Sequence, residues 1–130
     1  MYILDTNTLI HFFKGISRVA EGLLSKAPKD IGIPSIVLFE IFLGIEKSTS
    51  PEKRKKQLEQ LISVVNILPF GDNEAWHAAK IRAMLEKQGH PIGPYDVLIA
   101  ATALSNNGIL ITHNVKEFSR VDGLRIEDWY

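Results

Sequence analysis

Short runs of β-type apolar residues alternate along this chain with longer segments of helical periodicity. The clearest runs are Tyr2–Leu4 and Ile109–Thr112, and weaker ones lie at Asp30–Ile33, Asn66–Leu68 and Leu124–Ile126. Strands that are separated by helical segments typically form a largely parallel sheet with helices packed on it. The alternation therefore predicts an α/β fold and argues against an all-α or all-β protein.

The predicted helices follow from apolar spacing and from start and stop residues. Ser35, Ser50 and Asp72 are expected to cap three of the helices, and Gly89 is expected to end the one that starts at Asp72. The expected helices are Thr6–Phe13, Arg18–Ala27, Ser35 to about Lys47, Pro51 to about Val65, Asp72–Gln88, Asp96–Asn107 and Lys116–Phe118.

Length and composition narrow the class of protein. The chain has 130 residues, 45% of them apolar, which fits one domain over residues 1–130 with its own hydrophobic core. Fifteen basic and fifteen acidic residues give a formal charge of zero, which argues against a protein that coats nucleic acid through bulk charge. There is no cysteine, no signal-like N-terminus and no apolar run of membrane-spanning length, so we expect a cytoplasmic protein without a membrane partner.

Glu40 is the most informative single residue. On a helix its neighbours on the same face are apolar, and none of them can pair with a carboxylate: Ile36, Val37, Leu43 and Gly44. An ionised group in such surroundings is costly unless it is paired, metal-bound or neutralised. Glu40 is therefore a candidate metal ligand. The alternatives are that this part of the helix reaches solvent, or that an arginine from elsewhere pairs with the carboxylate.

Asp5 and Asp96 are two further candidate acids, each with a structural alternative. Asp5 ends the first strand, where α/β folds place their ligand sites, but it could simply cap the following helix. Asp96 lies at a helix start, where an acid complements the helix dipole. Thr6 and Asn7 follow Asp5 and could orient a carboxylate or a bound water, although both are also ordinary turn residues.

The combination of three acids is more informative than any one of them. Acids at strand ends and helix starts suit a hard cation such as Mg²⁺, which needs only one or two direct carboxylates and keeps several waters. Without a cation, clustered carboxylates repel one another and their pKa values rise. We therefore predict that Asp5, Glu40 and Asp96 converge around a divalent ion.

Five segments resemble a known family, the PIN-domain nucleases, and in particular its VapC toxin branch. Each is a weak motif alone, but they follow one another in the family's order and at similar spacing over nearly the whole chain. They are Leu4–Asn7, Ser35–Ser48, Gly93–Ala103, Ile111–Phe118 and Val121–Trp129.

The resemblance implies a three-layer α/β/α sandwich with a mostly parallel sheet of about five strands. It also implies an endoribonuclease toxin that depends on Mg²⁺, with Mn²⁺ as a possible substitute, and that hydrolyses structured RNA. Its substrate would be a tRNA anticodon loop, with initiator tRNA favoured. Its partners would be a VapB antitoxin and a second copy of the chain. Asp5 and Asp96 would bind the metal directly, and Glu40 directly or through water.

The chain departs from the family pattern at Asn114, where many PIN domains have an acid. Asn114 remains a candidate catalytic residue, since its carbonyl can bind a metal or orient water, but a second metal ion is in doubt. Glu117 could compensate, although we interpret it as a solvated surface charge. Thr112 could hydrogen-bond a metal-bound water, and His90 and His113 are candidate substrate contacts.

Two other functions are compatible with these residues. The chain could be a PIN nuclease of RNA processing rather than a toxin. It could also be a catalytically inactive RNA-binding module, a hypothesis that rests on Asn114. Cleavage of RNA in the presence of Mg²⁺ separates the enzyme from the binding module.

Overall fold

A computed structural model describes residues 1–130 and contains one five-stranded sheet. The strand order is β3-β2-β1-β4-β5, and every neighbouring pair is parallel. The predicted parallel sheet of about five strands is thus confirmed. The strands are β1 Tyr2–Leu4, β2 Ile31–Pro34, β3 Asn66–Leu68, β4 Ile109–Ile111 and β5 Arg125–Glu127.

Seven α-helices connect and cover the strands. Because β-α-β crossovers are right-handed, the strand order places the first four helices on one face of the sheet and the last three on the other, which gives three layers. No helix is both long enough and apolar enough to cross a bilayer. The helices are α1 Thr6–Lys14, α2 Val19–Leu24, α3 Ser35–Glu46, α4 Glu52–Ile62, α5 Asp72–Lys87, α6 Pro94–Ser105 and α7 Val115–Phe118.

The three central strands form the middle of the hydrophobic core. Six of their apolar side chains are at most 2% exposed: Ile3, Leu4, Ile31, Ile33, Leu110 and Ile111. A sheet covered on both faces needs such continuous apolar runs, because neither face reaches water. This explains why the short runs at Tyr2–Leu4 and Ile109–Ile111 were recognisable in the sequence.

Three predicted helix caps are wrong. Ser35 is the first residue of α3, and its hydroxyl donates to the Leu68 carbonyl at 3.1 Å. Pro51, not Ser50, precedes α4, and Gly71, not Asp72, precedes α5. At α5 the Glu74 carboxylate accepts the Gly71 N–H at 2.8 Å, so the third helical residue satisfies the backbone at this end.

The second helix is shorter than predicted. It ends at Leu24 rather than Ala27, and a 3₁₀ turn at Pro28–Asp30 follows it. The Ser25 hydroxyl donates to the Gly22 carbonyl at 2.6 Å, and Pro28 disfavours helical geometry at Ala27. The predicted end of α5 is correct, because Gly89 adopts φ +72° just beyond the helix.

The strand order positions the functional residues. β1 lies between β2 and β4. The chain adds β2 and β3 on one side of β1, and it then adds β4 and β5 on the other side, so the strand order reverses at β1. Ligands of open α/β sheets bind beyond the carboxyl ends of the strands at such a reversal. Asp5 follows β1 and Thr112 follows β4 at this edge, and the N-terminus of α6, with Asp96, lies there too.

Candidate active site

Asp5 sits at the centre of this edge and is 6% exposed. Its backbone N–H donates to the Ile111 carbonyl at 3.2 Å, which continues the pairing of β1 with β4. Its Oδ1 accepts the Thr8 N–H at 2.8 Å and so caps α1. Capping fixes the orientation of the carboxylate at the strand end, so the structural and the functional interpretation of Asp5 are compatible.

Burial raises the pKa of Asp5 above its usual range. Contacts with the Thr112 hydroxyl and with Thr8 offset part of this increase, as does the nearby His11. A buried acid with a raised pKa favours a positive charge beside it, because a cation stabilises the ionised form.

Glu40 lies on α3, partly buried, and its Oε1 accepts the Thr6 hydroxyl at 2.7 Å. No arginine or lysine pairs with it, since the three ion pairs of the molecule lie elsewhere: Arg18–Glu21, Arg82–Glu86 and His113–Asp128. The alternative of an arginine partner is therefore wrong. Thr6 directly follows Asp5, so this bond fixes the Glu40 carboxylate near the end of β1.

Asp96 lies in the first turn of α6, and its pKa is raised to about 6. Burial is the largest cause, followed by repulsion from the negative charges of Glu117, Asp5 and Glu40. Three carboxylates from separate parts of the chain thus act on Asp96. This is the electrostatic result expected of acids that converge without a cation between them.

Glu117 is part of this group, so its interpretation as a solvated surface charge is wrong. It is partly buried, and its Oε2 accepts a 3.2 Å hydrogen bond from the Asn114 side-chain amide. The Asn114 backbone N–H in turn donates to the Thr112 hydroxyl oxygen at 3.0 Å. Asn114 therefore orients the carboxylate of Glu117, three residues later. The i, i+3 spacing of the two residues was the feature of the sequence that could have predicted this contact.

Two candidates make no such contact. Asn7 is exposed on α1, and its side chain forms no hydrogen bond. His90 is exposed in the connection between α5 and α6, and its ring forms no hydrogen bond either. The structure gives both residues surface positions.

A cluster of aromatic rings next to Asp5 was not predicted. Tyr130 packs against His113 and His11, each at 4.3 Å between ring centroids. Burial raises the pKa of Tyr130, and the negative charge of Asp5 raises it further. His11, His113 and Tyr130 are far apart in the sequence, so no motif or spacing could have found the cluster.

Comparison with known proteins decides the family. The model of the PIN domain family matches residues 2–124. The tRNA(fMet)-specific endonuclease VapC of Salmonella typhimurium is 38% identical over 128 residues, which are 98% of this chain and 97% of that protein. Ribonuclease VapC2 of Haemophilus influenzae is 39% identical over 131 residues, 98% of this chain and 97% of that protein. The chain is a VapC-family PIN domain. The predicted family and the predicted nuclease class are confirmed.

Solved VapBC structures have the same fold. In VapBC2 of Rickettsia felis bound to a promoter DNA fragment, the matching chain is 34% identical with a TM-score of 0.91, over 99% of this chain and 98% of that one. In DNA-bound VapBC of Salmonella typhimurium the identity is 38% and the TM-score 0.91, over 99% and 98%. The predicted three-layer fold is confirmed.

The acids of this VapC-family chain suit a divalent cation in their chemistry. They offer only carboxylate oxygens, and no lysine or arginine forms an ion pair with any of them. No three acidic or imidazole groups are close enough together to ligate one ion in this conformation. A Mg²⁺ ion needs only one or two direct carboxylates and binds others through water. Joint ligation by Asp5, Glu40 and Asp96 stays a prediction.

Proposed function

We propose that this VapC-family chain is a Mg²⁺-dependent endoribonuclease toxin that hydrolyses phosphodiester bonds in structured RNA, with Mn²⁺ as a substitute metal. The observation that carries the proposal is the pKa of Asp96, which burial and then repulsion from Glu117, Asp5 and Glu40 raise to about 6. A cation at this position would stabilise the ionised form of Asp96 and its neighbours, and phosphodiester hydrolysis is chemistry that such a cation promotes.

The roles proposed for the residues are those that the family resemblance implies. Asp5 and Asp96 hold the ion directly, and Glu40 holds it directly or through water, in the orientation that Thr6 gives it. Glu117, oriented by Asn114, adds negative charge that acts on Asp96. The chemistry that the ion supplies is activation of water and neutralisation of charge at the phosphoryl group. Hydrolysis of this kind leaves a 5′-phosphate and a 3′-hydroxyl.

We further propose the anticodon loop of initiator tRNA as the substrate. Relatives from Salmonella typhimurium and Shigella flexneri, each 38% identical over 98% of this chain, are named tRNA(fMet)-specific endonucleases. The partner would be a VapB antitoxin, as in the VapBC complexes with similar chains. The toxin would act in the cytoplasm, as a homodimer or within a toxin–antitoxin hetero-oligomer.

The hypothesis of a catalytically inactive RNA-binding module rested on the missing acid at position 114. Glu117 provides a fourth carboxylate, which accepts a hydrogen bond from Asn114, and this favours the enzyme. Nothing in the site favours RNA processing over toxicity, and the VapC relatives favour the toxin.

The proposal is tested by incubating initiator tRNA and an elongator tRNA with the purified protein in Mg²⁺ or in EDTA. We expect cleavage of the initiator tRNA in Mg²⁺ only, and none by Asp5→Asn. The matched control is His77→Ala, whose side chain bonds Ser105 at the far end of α6 from Asp96. Equal cleavage in EDTA would refute the metal mechanism, and equal cleavage of both tRNAs would refute the substrate.

A further inference from the structure

The aromatic cluster beside Asp5 presents one open surface. The rings of His113 and Tyr130 are stacked nearly parallel, at 4.3 Å between centroids and 7° between planes. The His113 side chain is nevertheless 64% exposed. One face of the imidazole therefore packs on the phenol, and the opposite face is open to solvent.

The orientation of His113 is held by the C-terminal residues. Its Nδ1 lies 3.0 Å from Oδ2 of Asp128, and Oδ1 of the same carboxylate accepts the backbone N–H of Tyr130 at 3.0 Å. His11 packs against Tyr130 from α1, at 4.3 Å between ring centroids. An exposed ring that is fixed by both a carboxylate and a stacked neighbour has already lost its rotational freedom, so a ligand that packs on it pays little further entropy.

The cluster adjoins the acids. His11 lies on α1, which Asp5 caps, and His113 lies two residues after Ile111, whose carbonyl accepts the Asp5 backbone N–H at 3.2 Å. A flat ring next to a site that cleaves phosphodiester bonds is placed to contact the nucleotide that flanks the scissile phosphate. A base in an unpaired loop can stack on such a ring, whereas a base in a duplex is already stacked on its neighbours.

We propose that His113 is a stacking platform for one unpaired nucleobase next to the cleaved bond, with Asp128 and Tyr130 as its positioning residues. This inference rests on the proposed ribonuclease function and deepens it. Cleavage is then faster where one nucleotide next to the cut is unpaired, which favours loops over helical stems. Stacking tolerates different bases, so this contact selects for an unpaired base more than for its identity.

The test combines changes in the protein with changes in the RNA. The probe is a hairpin with the stem and seven-nucleotide loop of the initiator tRNA anticodon arm, in which each loop nucleotide in turn is made abasic. Wild type, His113→Ala, His113→Phe and the control His77→Ala are compared in kcat/KM. Affinity for the same hairpins is measured in an Asp5→Asn background, which separates binding from cleavage.

We expect His113→Ala to lower kcat/KM and affinity by about 10-fold, the effect of losing one base–ring stack. His113→Phe should retain most of both, because phenylalanine keeps the flat ring. One abasic position should cost the wild type about the same factor and cost His113→Ala nothing further. His77→Ala should behave as wild type, and melting temperatures should show that all variants are folded.

Two results would overturn the stacking platform while leaving the ribonuclease intact. One is independent, multiplicative losses from His113→Ala and from every abasic position. The other is a loss in His113→Phe as large as in His113→Ala, which would point to the imidazole nitrogens instead of the ring face. If the wild type neither cleaves nor binds any hairpin, the proposed function itself is wrong, and the platform falls with it.

Discussion

The hydroxyl of Thr6 donates a 2.7 Å hydrogen bond to Oε1 of Glu40, across 34 residues of sequence. The bond joins the start of α1 to the middle of α3, and it fixes a carboxylate that has no cationic partner. Thr6 directly follows Asp5, so one short segment positions two of the acids.

Replacing Thr6 by valine removes this hydroxyl at nearly constant volume. We expect cleavage to fall by about 10-fold, because Glu40 then rotates freely, and stability to fall by about 1 kcal/mol, as for one net hydrogen bond. Cleavage rates and urea unfolding measure the two effects. Thr6→Ser keeps the hydroxyl and is the matched control. Full activity in Thr6→Val would show that Glu40 needs no anchor.

Asp96→Asn should abolish cleavage and yet stabilise the metal-free protein at neutral pH. The folded-state pKa of Asp96 is raised to about 6 from its usual 3.8, so the folded protein binds the proton more tightly than the unfolded chain. Stability from this group is therefore present at low pH and is lost as pH rises from about 4 to about 6. Because Asp96 is partly exposed, solvent screening reduces the effect, and we expect a gain of about 3 °C in melting temperature at pH 7.5.

The same variant supplies its own control by pH. At pH 4 most of the Asp96 side chain is protonated in the folded wild type, so the two proteins should melt at nearly equal temperatures. A difference in melting temperature that stays constant between pH 4 and pH 7.5 would mean that charge repulsion is not its cause.

Mg²⁺ should raise the melting temperature of the wild type, because it binds the folded site and not the unfolded chain. At 100 times the dissociation constant the gain is about 2.7 kcal/mol. The shift should be smaller at pH 5.5 than at pH 8, since protons compete for Asp96, and it should vanish in Asp5→Asn. Glu21→Gln, which removes an exposed carboxylate that pairs only with Arg18, should respond as wild type.

Glu117→Gln tests the acid whose role the sequence did not predict. Glu117 is the largest electrostatic contributor to the raised pKa of Asp96. Its neutralisation should lower that pKa, measured by NMR titration of the Asp96 carboxyl, and weaken Mg²⁺ binding several-fold. An unchanged titration curve for Asp96 would show that Glu117 is a solvated surface charge that does not act on Asp96.

Two glycines test the packing that supports the C-terminal residues. A Cβ at Gly22 would come within 2.6 Å of the Trp129 ring, whereas a Cβ at Gly44 meets nothing within 4 Å. Gly22→Ala should therefore destabilise the protein by about 1–3 kcal/mol, and it should impair cleavage by moving Trp129 and Tyr130. Gly44→Ala, in the interior of α3, should stabilise it by up to about 1 kcal/mol. Thermal unfolding of both variants measures these changes in stability.

Most of the fold follows from local patterns. A continuous apolar run such as Ile109–Ile111 indicates a strand that is buried on both faces. The helical spacing of apolar residues along α5 indicates a helix that is buried on one face. These two patterns were enough to predict the class of fold. The helix caps predicted at Ser35, Ser50 and Asp72 were each misplaced by one residue, because two prolines and a glycine occupy the cap positions and a distant carbonyl takes the Ser35 hydroxyl.

The sequence by itself determined which acids are candidate ligands, because Asp5, Glu40 and Asp96 each stand beside apolar residues at a strand end, on an apolar helix or at a helix start. Only the tertiary structure decided that Glu117 joins them, that Thr6 holds Glu40 and that His113 stacks on Tyr130. Charge repulsion, hydrogen bonding and ring packing act over a few ångströms of space, and separation along the chain carries no information about them. The strand order brings the ends of β1 and β4 together and supplies that proximity.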